Sequence, residues 1–113
     1  MRSDTERLRD ILDAIDQVRK YSSKGREAFD QDELIQVWIV HHLARLGEAT
    51  ARLSPKLRRY PQAPWKQIIG MRNILVHEYF RIDPETVWTA IEIHLPPLEK
   101  RVRAILAELE EQR

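Results

Sequence analysis

Apolar side chains recur at intervals of three and four residues through most of the chain, and this spacing constrains the fold more than any other feature. The first series consists of Leu8, Ile11, Leu12, Ile15 and Val18. Such spacing is typical of one face of an amphipathic helix. No segment shows the strict alternation of apolar and polar residues that would favour a strand. The sequence therefore predicts an all-α fold.

Caps and turn residues divide this pattern into four or five helices. Helix one is expected to start behind Ser3 or Asp4 and to end near Tyr21. Asp30, followed three residues later by Glu33, resembles a capping box and predicts the start of the second helix. That helix is expected to carry on one side Leu34, Val37, Trp38, His41, Ala44 and Gly47.

Prolines mark the later boundaries. Residues 54–60 predict a short helix, and a longer one is expected to begin near Pro64. Its inward positions should be Ile68, Met71, Leu75 and Ile74. Asp83 and Pro84 form a strong start for the next helix. The pair Pro96-Pro97 should break or kink that helix before it continues to the C-terminus.

Length and composition bound the class of protein. The chain has 113 residues, which predicts a single domain, residues 1–113, built as a mostly antiparallel bundle. Its formal net charge of +1 creates no overall field toward nucleic acid, so any RNA contact must be local. The absence of cysteine excludes disulfides and a cysteine nucleophile. Without an apolar run near about 20 residues, we expect a cytoplasmic protein with no membrane association.

The richest chemistry lies in the segment R-N-x3-H-x-Y, formed by Arg72, Asn73, His77 and Tyr79 and called the motif below. Arginine has a planar fork of donors that matches phosphate, and histidine exchanges protons near neutral pH. Together they suit chemistry on RNA phosphodiesters. The plainer interpretation is a surface salt bridge for the arginine and a helix-terminal histidine that interacts with the helix dipole.

The motif covers a wide part of its helix. At about 100° per residue, Arg72 and Tyr79 lie within about 20° of each other, and Asn73 and His77 within about 40°. All four fall in one sector of about 160°. One helix alone cannot bring so wide a sector onto a single phosphate. The site is therefore expected to need a second surface facing it.

Other polar residues are weaker candidates. Glu48 is a possible orienting partner for the Arg72 guanidinium. A basic cluster that can follow an RNA backbone, or simply form a solvated face, consists of Arg52, Lys56, Arg58 and Arg59. The adjacent pair His41-His42 points in directions about 100° apart and has no third ligand at suitable spacing, so no metal site is expected.

The motif and its surroundings resemble the HepT-like branch of the HEPN superfamily. The segment Leu46-Gly47-Glu48-Ala49 is similar to the family's Gly-Glu-Ala turn, and Trp65 with Gly70 is similar to the entry of its motif helix. The likeness covers nearly the whole chain. It implies an all-α HEPN bundle that pairs as a homodimer or higher oligomer, with the motifs of the subunits facing one cleft.

The resemblance also implies an activity. It indicates the toxin of a toxin–antitoxin pair, a metal-independent endoribonuclease without a cofactor that acts on RNA. In that interpretation His77 moves a proton, Arg72 holds the phosphate oxygens, and Asn73 orients His77 or the phosphate. A minimal nucleotidyltransferase is the expected antitoxin, and Tyr79 the acceptor of its AMP.

Two other interpretations remain open from the sequence. In the first, the chain is a non-catalytic HEPN module that binds a nucleotide and serves as the regulatory subunit of a nucleotidyltransferase complex. In the second it is a structural helical adaptor, which leaves the polar motif unexplained.

Overall fold

The computed structural model describes residues 2–60, 63–77 and 83–112. Within these residues the secondary structure is helical, and the predicted all-α class is confirmed. The helices are α1 Asp4–Ser22, α2 Arg26–Gln31, α3 Glu33–Ala51, α4 Pro55–Arg58, α5 Trp65–His77, α6 Pro84–Thr89 and α7 Leu95–Glu111, with a π-helical turn, Ala90–His94, between the last two. None of the described helices combines the length and apolar character needed to span a bilayer.

Helix α3 is the central helix of the bundle and packs against α1 and α5. Polar contacts show that α1 and α3 are antiparallel. The indole nitrogen of Trp38 donates to the carbonyl oxygen of Gln17 over 2.7 Å, and Arg45, farther along α3, reaches back to Asp13 over 2.6 Å. The core between the helices is aliphatic, and its fully buried members include Leu8, Ile11, Ile15, Ile39, Leu43, Leu46, Ile68, Leu98 and Val102.

Helix α7 runs along the other side of α1, also antiparallel to it. Arg9 near the start of α1 pairs with Glu110 near the end of α7, at 2.8 Å. Arg19 near the end of α1 pairs with Glu99 near the start of α7, at 2.6 Å. These two ion pairs mark the register of α1 against α7 at both ends.

The caps confirm two predicted boundaries and correct a third. Ser3 caps α1, since its side chain accepts from the Glu6 N–H, and Asp83 caps α6. The expected capping box at Asp30 is wrong. Asp30 lies inside α2, a short helix that the sequence analysis did not predict, and the cap of α3 is Asp32.

The predicted face of α3 agrees only partly with the buried one, since Gly47 is buried and Trp38 and Ala44 are half-buried against the core. Leu34 is 81% exposed and Val37 53% exposed, and His41 is exposed as well. The buried side is formed mainly by residues outside that prediction, namely Ile35, Ile39, His42, Leu43 and Leu46. Apolar residues surround much of this helix, so two faces satisfy helical spacing equally well. The positions of α1 and α5, between which α3 packs, determine which face is buried. The spacing of apolar residues alone does not show this.

The remaining expectations concern α5 and the prolines. Trp65, Ile68, Met71 and Leu75 are buried as one face of α5, whereas Ile74 is exposed, contrary to prediction. The disruption expected at Pro96-Pro97 takes the form of the π turn just before them, in which the Leu95 N–H donates to the carbonyl of Ala90. Both prolines then fall in the first turn of α7.

The corrected cap predicts a difference between two neighbouring aspartates. Asp32 accepts from the backbone N–H of Leu34 at 2.9 Å, so Asp32→Ala should lower the free energy of unfolding by about 1 kcal/mol. Asp30→Ala removes only an exposed pair with Arg26 and should cost less than about 0.5 kcal/mol. Urea unfolding followed by circular dichroism measures both. A larger loss for Asp30→Ala would show that the cap is misassigned.

Candidate functional site

The site is built where α3 and α5 pass each other at Gly47 and Arg72. A Cβ atom placed on Gly47 would overlap the Cβ of Arg72 and would lie 2.8 Å from its Cγ and 3.3 Å from its Cα. No side chain fits in that space, since such distances are shorter than any ordinary van der Waals contact. The absence of a side chain at position 47 therefore allows the two helices to approach this closely.

The guanidinium of Arg72 is held by neighbours on both helices. Its Nη2 donates to Oε2 of Glu48 on α3 over 2.5 Å, and its Nη1 donates to Oδ1 of Asn73 over 2.9 Å. Its Nε is buried without a hydrogen-bond partner among the described residues. The side chain is 27% exposed. A guanidinium has five N–H groups, so one on each Nη remains to bind a ligand.

Glu48 connects Arg72 to a second arginine. Its Oε1 accepts from the Nε of Arg52 over 2.7 Å. Hydrogen bonds from Arg52 and then from Arg72 hold the pKa of Glu48 below its usual value. Because the folded-state pKa is the lower one, the stabilisation is present at neutral pH and is lost as the pH falls through it. Two guanidinium groups and one carboxylate leave this group of side chains positively charged.

Asn73 and His77 are exposed on the same helix, and His77 is the last residue of α5. The side-chain oxygen of Asn73 bonds to Arg72, so the described contacts place it beside the guanidinium rather than at His77. Val76, which is 50% exposed, lies at about 40° from Arg72 on the helix circumference, between Arg72 and His77 at about 140°. An exposed aliphatic side chain therefore stands inside the motif sector.

The other predicted residues differ in how closely they join this group. Arg52 is part of it through Glu48. Lys56 and Arg58 lie on α4 and Arg59 follows it, all exposed, and the described hydrogen bonds do not connect them to the motif. Tyr79 lies outside the described residues. The close packing of Gly47 against Arg72 was not predicted, although Gly47 was noted as part of the Gly-Glu-Ala segment.

The pair His41-His42 is not connected to this group. His42 is buried, and its Nδ1 lies 3.1 Å from Nη1 of Arg45. Burial, followed by the neighbouring positive groups, lowers the pKa of His42, which fits a neutral ring that accepts from Arg45. In the part of the chain that the structure describes, no three His, Cys, Asp or Glu side chains come together as metal ligands would.

The described motif residues Arg72, Asn73 and His77 lie apart from the main clefts of the bundle. Three clefts of about 510, 450 and 410 Å³ border the described helices, and neither Arg72, Asn73 nor His77 lines any of them. The cleft of about 510 Å³ reaches α5 only at Leu75, on the buried side of the helix.

Comparison with known proteins places this arrangement in a family. The family model described as "Ribonuclease HepT-like" matches residues 11–105. "Putative RNase MJ0125" of Methanocaldococcus jannaschii is 32% identical over 107 residues, which are 93% of this chain and 92% of the relative.

Two further relatives come from other organisms. "Putative RNase TTE0752" of Caldanaerobacter subterraneus subsp. tengcongensis is 38% identical over 81 residues, 71% of this chain and 72% of the relative. "Probable ribonuclease HepT" of Thermococcus cleftensis is 29% identical over 100 residues, 87% of this chain and 91% of the relative. No solved structure matches the chain. The family match covers most of the sequence and nearly the whole bundle, and the chain belongs to the ribonuclease HepT-like family.

Proposed function

We propose that this ribonuclease is the toxin of a toxin–antitoxin pair and cleaves RNA without a metal, using Arg72, Asn73 and His77. The observation that carries the proposal is the placement of Arg72. Its guanidinium is fixed by Glu48 and Asn73, keeps donors for a phosphate, and stands on the same helix as an exposed histidine. A fixed cation beside a proton carrier suits phosphodiester cleavage.

The reaction needs only the RNA and these side chains. The ribose 2′-oxygen attacks the adjacent phosphorus, the bond from phosphorus to the 5′-oxygen breaks, and a 2′,3′-cyclic phosphate and a 5′-hydroxyl form. The 2′-hydroxyl loses a proton and the leaving oxygen gains one, and His77 carries out such a transfer. Negative charge builds on the nonbridging oxygens, where Arg72 binds them. General acid–base help of this kind is worth about 10² to 10⁴ in rate.

A second copy of the chain closes the site in this proposal. The motif sector is too wide for one phosphate, and Arg72, Asn73 and His77 line none of the three clefts described above. Val76 supports the same idea, because an exposed aliphatic side chain between Arg72 and His77 favours burial against another surface. A symmetric homodimer brings two motif surfaces together across one axis. RNA then binds between them.

Control by a nucleotidyltransferase antitoxin completes the proposal. Tyr79 follows His77 by two positions in the sequence. Transfer of AMP joins the phenol oxygen to the α-phosphorus of ATP and releases pyrophosphate. The resulting phosphodiester adds negative charge and bulk near the cation that should bind RNA. The modified protein therefore loses RNA binding without unfolding.

Removal of either principal side chain should abolish cleavage. We expect His77→Ala and Arg72→Ala to lose at least about 10²-fold in kcat/KM on single-stranded RNA, while His77→Ala leaves the melting temperature nearly unchanged because His77 is exposed. The measurement is gel-resolved cleavage by purified protein free of modification, in excess EDTA, with end-group analysis for cyclic phosphate.

The control is His94→Ala, because His94 lies on the π turn outside the motif. If wild-type protein cleaves no faster than His77→Ala, the nuclease proposal fails. The non-catalytic regulatory subunit then becomes the better account, provided that the protein still binds a nucleotide. Activity that disappears in EDTA and returns with a divalent ion would contradict the metal-independent mechanism.

The shared cleft predicts that Val76→Glu weakens self-association. A charge placed in the interface must be desolvated without a partner, so the dimer should dissociate at protein concentrations where the wild type does not. Light scattering across the micromolar range measures the mass against 13.5 kDa for one chain. Ile93→Glu is the matched control, because Ile93 is 60% exposed on the π turn. A wild-type protein that stays at one chain's mass would refute the shared cleft.

Modification is tested with Tyr79→Phe. Coexpression with a cognate nucleotidyltransferase should add the mass of one adenylate, or a multiple of it, to the wild-type chain. Tyr79→Phe removes the acceptor oxygen and keeps the ring, so it should gain no mass and remain toxic in the presence of the antitoxin. Intact-mass spectrometry measures the adduct. The same adduct on Tyr79→Phe would move the acceptor to another residue, with Tyr21 and Tyr60 the remaining tyrosines.

A further inference from the structure

We propose that Gly47 is a positioning residue for the Arg72 guanidinium, because its missing side chain allows α5 to approach α3 closely enough for Arg72 to reach Glu48. This inference deepens the proposed function and rests on it for the role of Arg72. The contact itself does not depend on the reaction. It depends on the space between two helices.

The atoms nearest to position 47 all belong to one residue. A Cβ there meets Cβ, Cγ and Cα of Arg72, the last at 3.3 Å. The Cα and Cβ atoms are not the far end of a flexible side chain, so rotation of the guanidinium cannot relieve the overlap. Part of α5 has to move away from α3. Any side chain at position 47 therefore displaces Arg72 before any other residue.

The guanidinium is also held on the α3 side by the residue that follows Gly47. Glu48 accepts from Nη2 of Arg72 and is itself held by Arg52. The buried Nε of Arg72, unpaired within the described residues, lies within this tight packing. If the Arg72 backbone moves outward, the bond to Glu48 lengthens or the side chain rotates. In either case the two remaining N–H groups point elsewhere.

Gly70 offers a matched control on α5. It also lies inside a helix, but a Cβ at this position meets nothing within 4 Å. Glycine is less favourable than alanine in a helix interior, so Gly70→Ala should raise the melting temperature and leave cleavage unchanged. Gly47→Ala carries the same gain in helix propensity but should lower the melting temperature. The pair separates helix propensity from steric overlap.

The decisive experiment combines activity, binding and stability. Gly47→Ala should retain its helical circular dichroism and lose about 10²-fold in kcat/KM, the order expected when a catalytic group is misplaced by about 1 Å. Adding Gly47→Ala to Arg72→Gly should cause no further loss, because the guanidinium being positioned and the overlapping Cβ and Cγ atoms are already absent. A separate structural role would give a further loss. Unchanged kcat/KM in Gly47→Ala overturns the proposal.

Binding and stability separate this inference from the proposed reaction. If wild type binds a 2′-fluoro-substituted RNA oligonucleotide but cleaves no RNA, the nuclease proposal fails. The role of Gly47 can still be tested, because Gly47→Ala should then bind the oligonucleotide more weakly in fluorescence anisotropy. If wild type does neither, unfolding experiments decide. Gly47→Ala should destabilise the wild-type background and not the Arg72→Gly background, which lacks Cβ and Cγ at position 72. Equal loss in both backgrounds overturns the proposal.

The comparison of the wild-type and Arg72→Gly backgrounds also covers the case in which Gly47→Ala does not fold. Should Gly47→Ala alone be unfolded, Gly47→Ala in the Arg72→Gly background must regain helical structure, because the overlapping atoms are gone. Failure to regain it means that position 47 is needed for a reason other than Arg72, and the proposal is wrong.

Discussion

The burial of α3 between α1 and α5 is the constraint on which the other features depend. A helix packed on two sides must present apolar or small residues to both neighbours, and α3 does so with Ile39, Leu43 and Leu46 in the core and Gly47 toward α5. Because α3 is fixed in this way, the side chains at its C-terminal end are fixed too. Glu48 therefore reaches Arg72 as part of the packing of the bundle.

The sequence was sufficient for the helical class, for most helix boundaries, for the buried face of α1 and, apart from Ile74, for that of α5. It was insufficient for α3, where two apolar faces compete and only the positions of neighbouring helices decide. The cap at Asp32 was missed for a related reason. Asp30 and Asp32 are both good caps, and a short helix before α3 uses the segment that contains Asp30.

At the site, residue types and spacing indicated the chemistry, and the structure shows which neighbouring side chains hold Arg72 in place. The pairing of Glu48 with Arg72 was suggested by the sequence and is present, whereas its orienting role in catalysis remains a prediction. The bond from Arg72 to Glu48 and the tight approach at Gly47 arise from contacts between residues far apart in sequence, whereas the link from Glu48 to Arg52 joins residues one helical turn apart. Helical periodicity carries no information about such contacts. Tyr79, outside the described residues, rests on the sequence alone.

The π turn before Pro96 determines which side of α7 faces the core relative to the buried side of α6. Val87 and Leu95 are both fully buried, although eight residues separate them. On an uninterrupted α-helix, eight residues turn through about 800°, which would leave the two side chains about 80° apart. The π turn rotates the chain less per residue and takes up this difference. Seven residues complete about two turns of an α-helix, and the π turn accommodates the eighth. Residues before and after it therefore stay on the same buried side of one continuous helical segment.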